Sequence, residues 1–127
     1  MKIKNEESLL EIIRRSIELL DTLAEAAEYM ATREQEVGFE SSVELFGDFV
    51  DGIGQLENSL DPVLHEVLDR ELNDSAYALA EALETVASAF KEQNMYNAKE
   101  ATREKLVPAY RQWKDALQRI LRPMVVC

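Results

Sequence analysis

Leu106, Tyr110, Trp113, Leu117 and Ile120 stand at steps of four, three, four and three residues. That spacing puts five large apolar side chains on one side of an α-helix, the chain's only tryptophan among them. Ala109 and Leu121 flank the seam, and Arg111, Asp115, Gln118 and Arg122 fall opposite. A helix of this kind has to be covered by other elements. Only four glycines and three prolines interrupt the 127 residues, so turns are few and the covering elements are long helices. Runs of alternating β-branched residues are absent.

Pro108 stands inside the seam. It cannot donate to the Glu104 carbonyl, and its ring crowds that carbonyl, so the pattern predicts a kink or short break near Lys105–Pro108. Upstream the seam weakens, because Lys99 and Arg103 occupy the positions that would extend it. Two cations on a packing face either snorkel or face carboxylates.

The preceding chain reads as three more helices. The first runs from about Asn5, a potential N-cap followed by Glu6 and Glu7, to Glu36. Two apolar stripes share it: Ile13, Ile17, Leu20, Ala24, Ala27 and Ala31, and beside them Ile12, Ser16, Leu19, Leu23, Ala26 and Met30. Together they cover about 200° of the helical wheel, against roughly 100° for an ordinary surface helix. Gly38 is a stop, and Ser41-Ser42-Val43-Glu44 reads as a capping box. The second helix then carries Phe46, Phe49, Ile53, Leu56 and Leu60 to about Ser59, with Gly47 and Gly54 on one edge of its apolar face. Those two glycines predict close approach by another helix or, as the rival, a gap that admits a ligand. Asp61-Pro62 reads as the start of the third helix, which stays in phase through Leu68, Leu72, Leu79, Leu83, Val86 and Phe90 across Asn73-Asp74-Ser75. Gln93-Asn94 begins the turn to the fourth helix, and Pro123 ends it before the apolar Met124-Val125-Val126. The expected fold is therefore all-α: a single domain over 1–127, an antiparallel four-helix bundle with a kink near Pro108 in its fourth helix.

Net charge is −11 and unevenly spread. Residues 94–127 hold seven Lys/Arg and three Asp/Glu, and the remainder holds seven and 22. An acidic body argues against nucleic acid and against anionic membranes, since both need a basic face. No apolar run approaches the length of a membrane span, and Met1–Glu7 lacks an apolar signal core. The lone cysteine, Cys127, builds no intrachain disulfide and reads as a solvated thiol, which fits a reducing, cytoplasmic setting.

No stretch forms a catalytic, metal or nucleotide motif. His65 is the only histidine, placed by its spacing one turn into the third helix, with Asp61 and Asp69 four residues to either side. A di-iron bundle needs two histidines and a zinc site needs more ligands than these, so His65 reads as structural or solvated, with no metal or cofactor. Carboxylate pairs such as Glu81 with Glu84 and Asp48 with Asp51 lie on polar faces rather than in a cleft. The expectation is a non-catalytic protein–protein interaction module, adaptor- or chaperone-like, that binds itself as a homodimer and possibly another protein. Helix one's surplus apolar width, at Leu10, Ile17, Leu19 and Leu23, is the candidate interface. The alternative is a small-molecule- or anion-binding bundle, or an enzyme, with a pocket near Gly47 and Gly54, where Tyr96, Lys99, Arg103 and Tyr110 would contact the ligand.

Overall fold

The computed structural model describes residues 2–125, and the side chains of all of these except 2–7 and 33–37. Expectations about Val126 and Cys127 lie outside the described residues. So do those about the side chains of Asn5, Glu6 and Glu7, although the first helix begins at Lys2, ahead of the expected cap. The described residues are all-helical: four α-helices and one π-helical turn, with no strand among them. These are α1 (Lys2–Leu64), α2 (Arg70–Lys91), α3 (Met95–Ala101), the π turn (Thr102–Leu106) and α4 (Val107–Val125). No helix is long and apolar enough to cross a membrane.

A straight helix the length of α1 would reach about 95 Å. It is interrupted at one residue, Gly38, with φ 81° and ψ 173°. Only glycine occupies that region without strain. The first arm, 2–37, and the second, 39–64, then pack side by side, so that Leu23 presses on Gly52. The helix resumes directly after Gly38, so Ser41–Glu44 is no capping box, and Ser42 is buried within the second arm. The expected second-helix seam is in place, with Phe46, Phe49, Ile53, Leu56 and Leu60 all buried.

The double stripe of the first arm is used in a way that neither stripe alone predicts. The buried line is Ile13, Ser16, Leu20, Leu23, Ala27 and Met30, alternating between the two. Ile17, Leu19, Ala24 and Ala26 are half-buried margins against the same core. Much of the arm's width is therefore spent within its own chain.

The boundary before α2 differs from expectation. α1 runs through Asp61 and Pro62 to Leu64, and the break falls at 65–69. Pro62 stands in the last turn of α1 and Pro123 in the last turns of α4, which reaches Val125 instead of stopping at Arg122. In both places the missing hydrogen bond frees the carbonyl of an exposed residue, Asn58 or Arg119, near a helix end where water can replace it. Asp69 caps α2, accepting from the Leu72 N–H at 2.9 Å. Leu68, expected in the α2 seam, lies in the connection and is 96% exposed. α2 does run unbroken through Asn73-Asp74-Ser75, and the Ser75 hydroxyl donates to the Leu72 carbonyl at 2.9 Å.

α2 ends in a left-handed C-terminal cap. The Gln93 N–H donates to the Phe90 carbonyl and the Asn94 N–H to the Ala89 carbonyl, each at 2.9 Å, with Gln93 in the left-handed region at φ 56°. Asn94 then caps α3 by accepting from the Asn97 N–H. α4 packs against both α1 and α2, with the π turn also touching both. Trp113, Leu117 and Leu121 are buried along it, while Ile120 is half-buried and cedes the last seam position to Leu121.

Gly47 and Gly54 do not mark a close helix contact within the chain. A methyl group added at either would meet nothing within 4 Å, whereas one at Gly52 would lie 2.7 Å from a Leu23 methyl. Gly47→Ala and Gly54→Ala are expected to stabilise the fold by about 0.4–1 kcal/mol each in denaturant unfolding. Gly52→Ala should fall short of both, because Leu23 must move to admit it.

Candidate functional site

Tyr110 anchors α4. It has no exposed surface, and its hydroxyl donates to the Leu20 carbonyl at 2.7 Å. Its ring meets Phe49 edge-on at 5.4 Å and lies 5.8 Å from Trp113. Burial pushes its phenol well above the ordinary tyrosine range, with the nearby Asp21 charge adding to the effect, so it stays neutral. It ties α4 to the first arm of α1.

The other candidate ligand residues are dispersed. Tyr96 is 72% exposed and donates to Glu100 at 3.3 Å. Lys99 is half-buried and Arg103 exposed, and among the described residues neither pairs with a carboxylate. The π turn explains the separation. Its last bond, from the Val107 N–H to the Thr102 carbonyl, spans one residue more than an α-helical bond. That extra residue rotates everything upstream by one position. Thr102 and Ala98 are completely buried where the α-helical count places Arg103 and Lys99. The cations are thereby moved off the packing face, and the Thr102 hydroxyl is satisfied by the Ala98 carbonyl at 2.8 Å.

The basic character of α4 is instead spent on α1 and α2. Arg111 pairs with Glu28, Lys114 with Asp21 at 3.2 Å, and the Arg119 guanidinium reaches both carboxylate oxygens of Asp69 at 3.0 Å. The Leu72 N–H, and after it Arg119, hold the Asp69 carboxyl below the usual range. None of these three ion pairs was predicted by spacing. Residues 21, 28 and 111 sit on faces that look merely solvated in one dimension.

Three of the grooves left by this packing bear on the candidate residues. One of about 480 Å³ lies between α1 and α4, floored by Ala24, Ala27, Val107 and Tyr110 and rimmed by Glu28, Arg111 and Lys114, with neither Lys99 nor Arg103 in it. Another, of about 500 Å³, lies between α2 and the α3–π segment and is polar, with Glu92, Glu100 and Glu104 around it. Among the described residues no three His, Cys, Asp or Glu side chains are placed to hold a metal ion. A third, of about 210 Å³, is lined by Glu57, Leu60, His65, Leu72 and Ala76. His65 belongs to the turn after α1, not to α2; it is exposed, and its Nδ1 lies 3.3 Å from the Asp61 carbonyl.

Of the candidate interface residues, Leu23 is 6% exposed and held in the core, Ile17 and Leu19 are half-buried against it, and Leu10 is half-buried. Larger apolar exposure occurs elsewhere, above all at Leu68, Tyr96 and Tyr77, and to a lesser degree at Tyr29, Val43, Met124, Val50 and Leu9.

The family model described as a domain of unknown function, DUF8042, matches residues 11–116, and the chain belongs to that family. No curated protein and no solved structure matches it.

Tyr110→Phe should cost about 1 kcal/mol in denaturant unfolding, since it removes a buried hydrogen bond without opening a cavity. Asp69→Asn keeps the cap acceptor and loses the charge pair with Arg119. Because the folded carboxyl is the stronger acid, its contribution is present above the unfolded value, about pH 4, and is lost as pH falls through the folded one. The melting temperature of Asp69→Asn should therefore lie below wild type at neutral pH and converge on it below about pH 4.

Proposed function

We propose that the chain is a non-catalytic, cytoplasmic protein–protein interaction module, adaptor- or chaperone-like, that self-associates as a dimer. The observation that carries this reading is Leu68, a leucine 96% exposed in the connection before α2. Leu9 at 36% and Met124 at 38% add to it. Grouped apolar side chains left in water mark contact surfaces more often than isolated ones do.

The grouping rests on helix direction. Arg111 pairs with Glu28, and Lys114 and Gln118 reach Asp21, so partners descend α1 as they ascend α4. Arg119 on Asp69 sets the start of α2 beside the last turns of α4. This order supports an antiparallel four-helix bundle, in which the fourth helix changes direction at the π turn ahead of Pro108. Leu9, Leu68 and Met124 then share one end of the bundle, near half-buried Leu10 and Ile17. The dimer contact is proposed there, rather than at Leu19 and Leu23.

Light scattering at micromolar concentration should give twice the chain mass of 14.5 kDa. Leu68→Glu combined with Met124→Glu, both at exposed positions, should return it to the monomer with an unchanged helical spectrum. A monomer at all concentrations rules out self-association, and a dimer that survives the double change moves the contact away from this end.

A further inference from the structure

Trp113 is the chain's only tryptophan, and it is 3% exposed. The Tyr110 ring lies beside it, with ring centres 5.8 Å apart. The two buried rings differ in how their polar atoms are served. The Tyr110 hydroxyl donates to the Leu20 carbonyl, whereas the Trp113 indole N–H meets no acceptor among the described residues. An indole N–H can only donate, and when buried it ordinarily finds an oxygen. Without one, the donor has been taken from water and given nothing back.

Trp113 also lines the recess of about 210 Å³ between the end of α1, the start of α2 and the middle of α4. Leu60, Leu72 and Leu117, all buried, form its apolar wall together with the indole. An apolar cavity of about 150 Å³ is room enough for a benzene ring, so this recess can take a ring and a short polar substituent. Its rim is polar. Glu57, Asp61, His65 and Asn73 are exposed around it, and no lysine or arginine lines it. Among the described residues no cation pairs with either carboxylate. The rim therefore repels anions, and the leucine wall disfavours a buried charge of either sign. An apolar wall with one polar group set into it is the usual make-up of a small-molecule site.

We propose that this recess binds a small uncharged molecule, a ketone, amide or alcohol with an apolar body about the size of one aromatic ring, whose oxygen accepts the Trp113 indole N–H. Leu60, Leu72 and Leu117 hold the apolar body, and Glu57 and Asp61 turn away carboxylates of the same size. The site is complete within one chain, so it does not rest on the dimer contact at the bundle end.

The test is a titration of the isotope-labelled full-length protein with acetophenone, which carries a ring and a carbonyl oxygen. One tryptophan gives one indole N–H resonance, so the donor reports on itself. That resonance should move downfield and saturate, with a dissociation constant of about 0.01–1 mM, ordinary for so few atoms. Toluene keeps the ring and lacks the oxygen; it should bind at least about tenfold more weakly, and benzoate should not bind. Backbone amide shifts should centre on Leu60, Leu72, Ala76 and Leu117. Ala76→Leu, at a half-buried position lining the recess, fills it and should abolish binding with the helical spectrum kept. The Leu68→Glu, Met124→Glu variant should bind acetophenone as the wild type does. An indole resonance that does not respond, equal binding of toluene, binding of benzoate, or shifts centred on another groove would overturn the proposal, and all four are read on the wild-type protein. So would acetophenone binding that survives Ala76→Leu or is lost in the Leu68→Glu, Met124→Glu variant.

Discussion

Pro108 sets the terms on which the last helix can join the bundle. α4 is the element on which α1 and α2 both pack, and its second residue can neither donate a backbone hydrogen bond nor tolerate a carbonyl one α-turn back. The π turn at Thr102–Leu106 lies immediately ahead of the ring, and its closing bond runs from the Val107 N–H to the Thr102 carbonyl. Everything downstream then keeps a regular α-helical seam, and Tyr110 arrives where its hydroxyl meets the Leu20 carbonyl. Everything upstream turns by one residue, which buries Ala98 and Thr102 and releases Lys99 and Arg103 to the surface.

Periodicity made the helical fold and most of its core legible. The seams through Phe49, Ile53 and Leu56 and through Trp113 and Leu117 follow directly from three–four spacing. Local chemistry misled where tertiary packing overrode it. Asp61-Pro62 and Ser41–Glu44 both resemble helix starts, yet the true corner needs a backbone region that only Gly38 can supply, and the true cap is Asp69. The cap motifs score side-chain composition, whereas the chain turned where a backbone torsion and an Arg119 partner were both available. The dispersal of the candidate ligand residues has one cause. Counting back from Leu106 in α-helical steps puts Tyr96, Lys99 and Arg103 in line with Tyr110, and one π turn is invisible to such a count.

Charge is distributed by the same architecture. A basic α4 lies between acidic neighbours, and three of its four cations, Arg111, Lys114 and Arg119, pair with Glu28, Asp21 and Asp69. Such pairs are partly exposed and add little stability singly, but they set the register of α4 against both partners. The second arm of α1, which packs beside the first arm rather than on this basic row, keeps its carboxylates exposed to solvent.

The tie between Tyr110 and Leu20 spans ninety residues of chain. Its consequence is temporal. On a ribosome the first arm of α1 is complete long before α4 has been made, and its buried line from Ile13 to Met30 has no α4 to pack on until Val107 and the residues after it emerge. Closing so long a loop is entropically slow compared with forming the helices or pairing the two arms around Gly38. The nascent chain therefore passes through a stage of formed helices and an open core, and α4, made after the arm it covers, is the segment that shuts it.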